Sequence, residues 1–367
     1  MAYAFIASVL LLATGAGGVQ IAGSLVERGQ GQLRRGDISG ACVTFQAAAD
    51  SDPQSARAPY LLGLALTRKG AEPHSIERAY RAAVARDPGF APAHAELGRL
   101  LFGLRHTMEA QEHLKAALAI APDLAEAHFE LGRLFLQQNQ QTDAVVELSH
   151  AARLAPRDAR FRAQLGDAYW RAGKLAEAAA ELRRANELRP SDASQWSHLG
   201  LVLLAQKDEL NARKCLETAI RLDPTTYPAL LALASLELSH GRSAAAIPLL
   251  DKARQYAPPD SAVGALLCSA FATTKDRPDW NARALNECRA AARGYPEAPD
   301  VQLHLLEVLV AQRDCSAAHA QLAVLEAIPL PPRESSWVQR GRETLATCTA
   351  VPPAPLATTS RRQAPKP

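Results

Sequence analysis

Apolar residues recur along this chain at three- and four-residue spacing, the period of an amphipathic helix and not of a strand. A slower rhythm lies over the helical one. A larger apolar residue (Phe45, Tyr80, Leu114, Leu148, Leu182, Leu216, Leu250) sits between small ones, as Leu114 does between Ala110 and Ala117. Small-residue pairs keep the same beat: Leu62-Gly63, Leu97-Gly98, Leu131-Gly132, Leu165-Gly166 and Leu199-Gly200, fading to Leu233-Ala234 and Leu267-Cys268. Prolines close each period at Pro53, Pro88, Pro122, Pro156, Pro190, Pro224, Pro258 and Pro296. Their spacing is 34 residues from Pro88 to Pro258, with 35 before and 38 after.

A constant period near 34 predicts stacked units of two helices with a tight turn between them. Gly36-Asp37, Gly173-Lys174 and Gly241-Arg242 fall at the turn, where glycine suits the left-handed residue that ends a helix. The proline stops the second helix, because it has no N–H and clashes with the preceding turn. The small residues predict close approach of the two helices. A leucine there would cost about 1–3 kcal/mol through overpacking.

These residues resemble the tetratricopeptide repeat family. The resemblance covers about nine units over residues 22–332 and implies an all-α fold, a superhelical solenoid of antiparallel helix pairs. Three units depart from the pattern. The first has Arg28 for the leucine, the eighth carries a four-residue insertion near Asp276 to Asp279, and the ninth has Leu306 for the small residue. Residues 333–349 read as a capping helix, and 350–367 as a disordered Pro-, Ala- and Thr-rich tail with Arg361, Arg362 and Lys366.

Residues 1–22 carry no charge, and Phe5 to Ala13 is strongly apolar. This reads as a signal peptide with cleavage between Gly15 and Gly23, hence an exported (periplasmic or secreted) protein, although no lysine or arginine stands near Met1. The alternatives are an uncleaved membrane anchor and a plain buried first helix. None of the six cysteines forms a Cys-x-x-Cys pair. In the repeat frame Cys315 opens one helix and Cys348 closes the next, antiparallel one, so a Cys315–Cys348 disulfide is expected after export. Cys268 and Cys288, across one hairpin, are a second candidate pair.

In this family the first helix of each unit lines an inner groove. The resemblance therefore places Arg99, Phe102, Phe129, Arg133, Asp167, Trp170 and Arg171 there, followed by small and apolar residues such as Leu201, Leu231 and Ser235. Arginine forks suit carboxylates, and aromatic faces suit apolar groups. The implied partner is a protein or peptide with an acidic part and an apolar part. The implied role is a non-enzymatic protein-interaction scaffold. The alternative is a structural subunit that self-associates through its repeats.

Net charge is +3 and no basic stripe is present, which argues against nucleic acid. There is no phosphate loop, G-x-S-x-G or H-E-x-x-H, so no catalytic residue and no cofactor is expected. His94 with Glu96 and His128 with Glu130 repeat at 34 residues, but positions two apart on a helix point to different sides, so no metal site is expected either.

Overall fold

The computed structural model describes residues 2–257, 262–274, 281–329 and 336–349, with the backbone alone for 2–17, 281 and 349. The chain divides into two compact units, Met1–Pro190 and Ser191–Pro367. The fold is all-α, with no strand among the described residues.

The first unit holds α1 (Ala2–Arg34), α2 (Ile38–Ser51), α3 (Arg57–Lys69), α4 (Pro73–Arg86), α5 (Ala91–Gly103), α6 (Thr107–Ile120), α7 (Ala125–Gln137), α8 (Gln141–Leu154), α9 (Ala159–Arg171) and α10 (Leu175–Leu188). Consecutive helices pair as hairpins, and each hairpin packs on the next. The second unit repeats this with α11 (Ala193–Ala205), α12 (Glu209–Leu222), α13 (Tyr227–Ser239), α14 (Ser243–Tyr256), α15 (Val263–Thr273), α16 (Asn281–Gly294), α17 (Pro299–Ala311), α18 (Cys315–Ala327) and a last helix, α19 (Ser336–Thr349). Helix α19 covers α17 and α18, burying Leu345.

Close packing at the small positions is explicit. A Cβ built on Gly132 would stand 2.6 Å from Leu148 Cγ, and one on Gly98 2.7 Å from Leu114 Cγ. Bulk on the second helix fills the space that glycine leaves on the first. In the ninth repeat, where Leu306 replaces the small residue, that leucine is fully buried. The turn after the first helix takes a left-handed residue in most repeats. Gly36, Gly70, Gly173 and Gly241 supply it without strain, whereas Arg105, Asn139, Lys207 and Arg313 adopt φ of 60–67° despite a Cβ.

Helix α1 runs unbroken across residue 22 into the first repeat. Val26 packs with Ala48, Ala49 and Ala58. Further back, a Cβ on Gly18 would lie 2.6 Å from the Ser51 carbonyl. The side chains of residues 2–17, the eighth-repeat insertion and the 350–367 tail lie outside the described residues.

A polar latch recurs with the period. The side chain six residues after the repeat proline bonds that proline's carbonyl, and its other end meets a residue 19 further on. Arg162 Nε donates to Pro156 O at 2.8 Å and its Nη1 to Glu181 at 2.8 Å. His128 lies 2.9 Å from Pro122 O and 2.6 Å from Glu147. His94 lies 3.2 Å from Pro88 O and 3.0 Å from His113. In the second unit Gln302 donates to Pro296 O at 3.1 Å and accepts from Gln321 at 2.6 Å. The latch ties the inter-repeat loop to both helices of the following hairpin, and it satisfies a carbonyl left open where a helix has stopped.

Candidate functional site

The residues of the first unit expected to face a groove lie on α5, α7 and α9. Phe102, Phe129 and Arg133 come together. The Arg133 guanidinium lies 5.4 Å from the Phe102 ring centroid and 5.6 Å from that of Phe129. Both are cation–π distances, and the two rings lie on successive inner helices. Arg133 Nη1 also donates to Glu130 at 2.7 Å. Arg99, one repeat back, donates twice to Glu96, at 2.9 and 2.7 Å. Asp167 and Arg171 pair with each other at 3.0 Å, beside the half-buried Trp170.

So each inner arginine already has a carboxylate from its own helix. Glu130 is nearly buried, and burial raises its carboxyl pKa, opposed by the charges of Arg133 and Arg99. Arg99 and Arg133 remain about 40% exposed (38% and 41%). Phe129 is only 7% exposed, so it offers little open surface. Its ring also packs on Phe161 at 4.7 Å and lies under Arg160 at 5.7 Å.

Sequence reasoning missed Tyr60 and Arg160, and weighed Glu96 and Glu130 only as metal ligands and not as partners of the arginines. Tyr60 makes an edge contact with Phe90 at 5.2 Å, and its hydroxyl pKa is raised by burial and then by the Glu96 charge. It stands three residues before Gly63, the register of Phe129 before Gly132, so the same rule applied one repeat earlier finds it. The glutamates were legible as i,i+3 partners of the arginines.

In the second unit, α11 and α13 form a separate cleft of about 550 Å³, lined by Leu201, Leu204, Tyr227, Leu231, Ser235 and Ser239 among others. Ser197, in the same inner register, is buried instead. The histidine–carboxylate set is used structurally. His94 and His128 serve the latches, while Glu96 and Glu130 hold arginines. Among the described residues no group of three or more His, Cys, Asp or Glu is placed to hold a metal. No described helix is long and apolar enough to cross a membrane. Cys268 is bonded to Cys288, and Cys315 to Cys348. Cys42 and Cys215 are buried.

Small residues on the first helix, bulk on the second, and a stack of like hairpins define a helical-repeat protein. Two family models described as tetratricopeptide repeat match it, one over residues 26–89, 95–159, 146–193 and 164–224, the other over 203–268. The chain belongs to the tetratricopeptide repeat family. Among solved structures it is similar to Pseudomonas aeruginosa pilF, at 21% identity over 60% of this chain and 99% of that one, with a TM-score of 0.54. It is also similar to PilW, a widely conserved type IV pilus biogenesis factor, at 18% identity over 58% of this chain and 99% of that one, with a TM-score of 0.52. At these identities the likeness is one of fold. No curated protein matches the sequence.

Proposed function

We propose that this chain is a non-enzymatic scaffold that holds a peptide segment of a partner protein on the inner face of α5, α7 and α9. The observation that carries the reading is the Arg133 guanidinium laid over Phe102 and Phe129. Ring contact and the Glu130 pair fix its position, while much of its surface stays open. A pre-positioned fork loses little entropy when it takes up a carboxylate. Phe102 and Trp170 supply apolar contact on either side, so the segment combines an acidic residue with apolar neighbours.

Export to an oxidising compartment belongs to the same reading. It is supported by the uncharged apolar start of the chain and by the two disulfides. The test is to profile the full chain on an array of short acidic–apolar peptides, alongside Arg133→Glu and Trp170→Ala. Loss of the bound set in both variants, with unchanged helical circular dichroism, is expected. An unchanged set rejects this placement.

A further inference from the structure

A second surface lies on the opposite kind of face, between the outer helices α16 and α18 with α17 as the floor. The cleft there measures about 460 Å³, within the ~300–1,000 Å³ range of ligand pockets. Its floor is Leu305 and Leu309, and Ala320 and Val324 form one wall. Arg289 and Arg293, one helical turn apart on α16, form the other. No carboxylate lines it.

Three features bear on what this cleft could hold. First, both arginines are exposed, and neither has an ion-pair partner among the described residues. The acid on the same helix, Glu287, is held by Arg254 and Arg283. The inner-face arginines, by contrast, are paired within their own helices.

Second, the repeat frame shows the double charge to be peculiar to α16. The two matching places hold Glu217 and Arg221 on α12, Arg183 and Glu187 on α10, and Lys115 and Ala119 on α6. Val324, 47% exposed, is the bulkiest apolar side chain at its place, which holds Lys252, Thr218, Arg184 and His150 on α14, α12, α10 and α8 and alanine (Ala290, Ala116, Ala82, Ala47) on α16, α6, α4 and α2.

Third, the polar floor is already satisfied. Gln302 spends its amide on the carbonyls of Ala292, Tyr295 and Pro296 and accepts from Gln321. A ligand therefore meets an apolar trough with one cationic wall and no competing polar group in its floor.

We propose that this cleft docks an acidic amphipathic helix of a partner protein, its apolar stripe on Ala317, Ala320 and Val324 above the buried Leu305 and Leu309, and two carboxylates, one turn apart, on Arg289 and Arg293. Charge complementarity selects the sign of the partner, and an apolar trough between two helices suits the helix-in-groove mode. This surface is independent of the inner face of the first unit.

The test uses the full chain and a fluorescein-labelled model helix with leucines along one stripe and glutamates flanking it. A second peptide carries lysine at each glutamate. Anisotropy should show binding of the glutamate peptide only. Arg289→Glu with Arg293→Glu should weaken it by at least about tenfold, the scale of one or more lost charge-assisted contacts. Val324→Glu should do the same. All three side chains are exposed, and thermal melts check that the variants fold. Equal binding of the lysine peptide, no binding of the glutamate peptide, or indifference to the arginine change overturns the proposal. Loss of binding in Arg133→Glu instead would move the peptide to the inner face, overturning this site and leaving the first reading standing.

Discussion

His94 and His113 face each other through their Nδ1 atoms, 3.0 Å apart. Because His94 Nε2 meets the Pro88 carbonyl and must donate to it, its Nδ1 accepts, so His113 Nδ1 carries the proton between them. A second proton on His94 would set two N–H groups head to head. In the next repeat the same latch is His128 against Glu147, where a second proton is welcome.

These two latches respond to acid with opposite sign. The His113 pKa is lowered by burial, then by His94, then by Arg81, with Glu109 and Glu112 opposing. The unfolded chain thus takes up that proton more readily, and stability falls as pH drops through the unfolded value of about 6.5. The His128 pKa is raised by its hydrogen bond to Glu147. Its contribution is complete below about 6.5 and is lost as pH rises through the raised folded value. Urea midpoints at about pH 5 and about pH 8 should show His128→Gln less stable than wild type at the acid end only. The double change of His94→Gln and His113→Gln should keep the latch and lose the acid penalty, because Gln302 and Gln321 already form this latch with no titrating group. Equal acid sensitivity in both variants and wild type would contradict the assignment.

Gly132→Ala should destabilise the protein by about 1–3 kcal/mol, since its Cβ would strike Leu148 2.6 Å away and the helices must part. A matching Leu148→Ala in the same chain should recover part of that loss. Denaturant melts of the single and double variants measure the coupling.

Lys207→Gly should stabilise. Lysine holds φ 64° where Gly173 and Gly241 hold the equivalent places, and relief of that strain, about 1 kcal/mol, outweighs the extra freedom glycine gives the unfolded chain. Gly173→Ala should lose a similar amount. The thermal midpoint is the readout.

The purified chain should weigh two hydrogens less per bridge than its fully reduced form, at Cys268–Cys288 and Cys315–Cys348. The second bridge spans 33 residues and ties the start of α18 to the end of α19. By chain entropy it contributes about 3–4 kcal/mol. Cys348→Ser should therefore speed hydrogen exchange through α19 first. Uniform protection with and without the bridge would argue against a capping role for that helix.

The hairpins, their turns and their close contacts could be read from residue order because each depends on neighbours within one period. Proline ends a helix, glycine admits a left-handed turn, and Gly132 leaves space that Leu148 fills in the same hairpin. The inner register from Arg99 to Arg171 came from the family resemblance, applied along the same period. What the side chains in that register do was settled only by packing. How far each helix rotates decides that Phe129 is almost wholly buried, that Glu130 pairs with Arg133, and that Arg289 and Arg293 have no ion-pair partner among the described residues. The latch partners lie 19 residues apart on different helices, a distance no helical period encodes. Sequence spacing determined which elements form and how they stack, since those rest on backbone sterics and Cβ size. Tertiary structure decided which charges are already neutralised and which remain open, because that depends on the space between helices and not on the order along one.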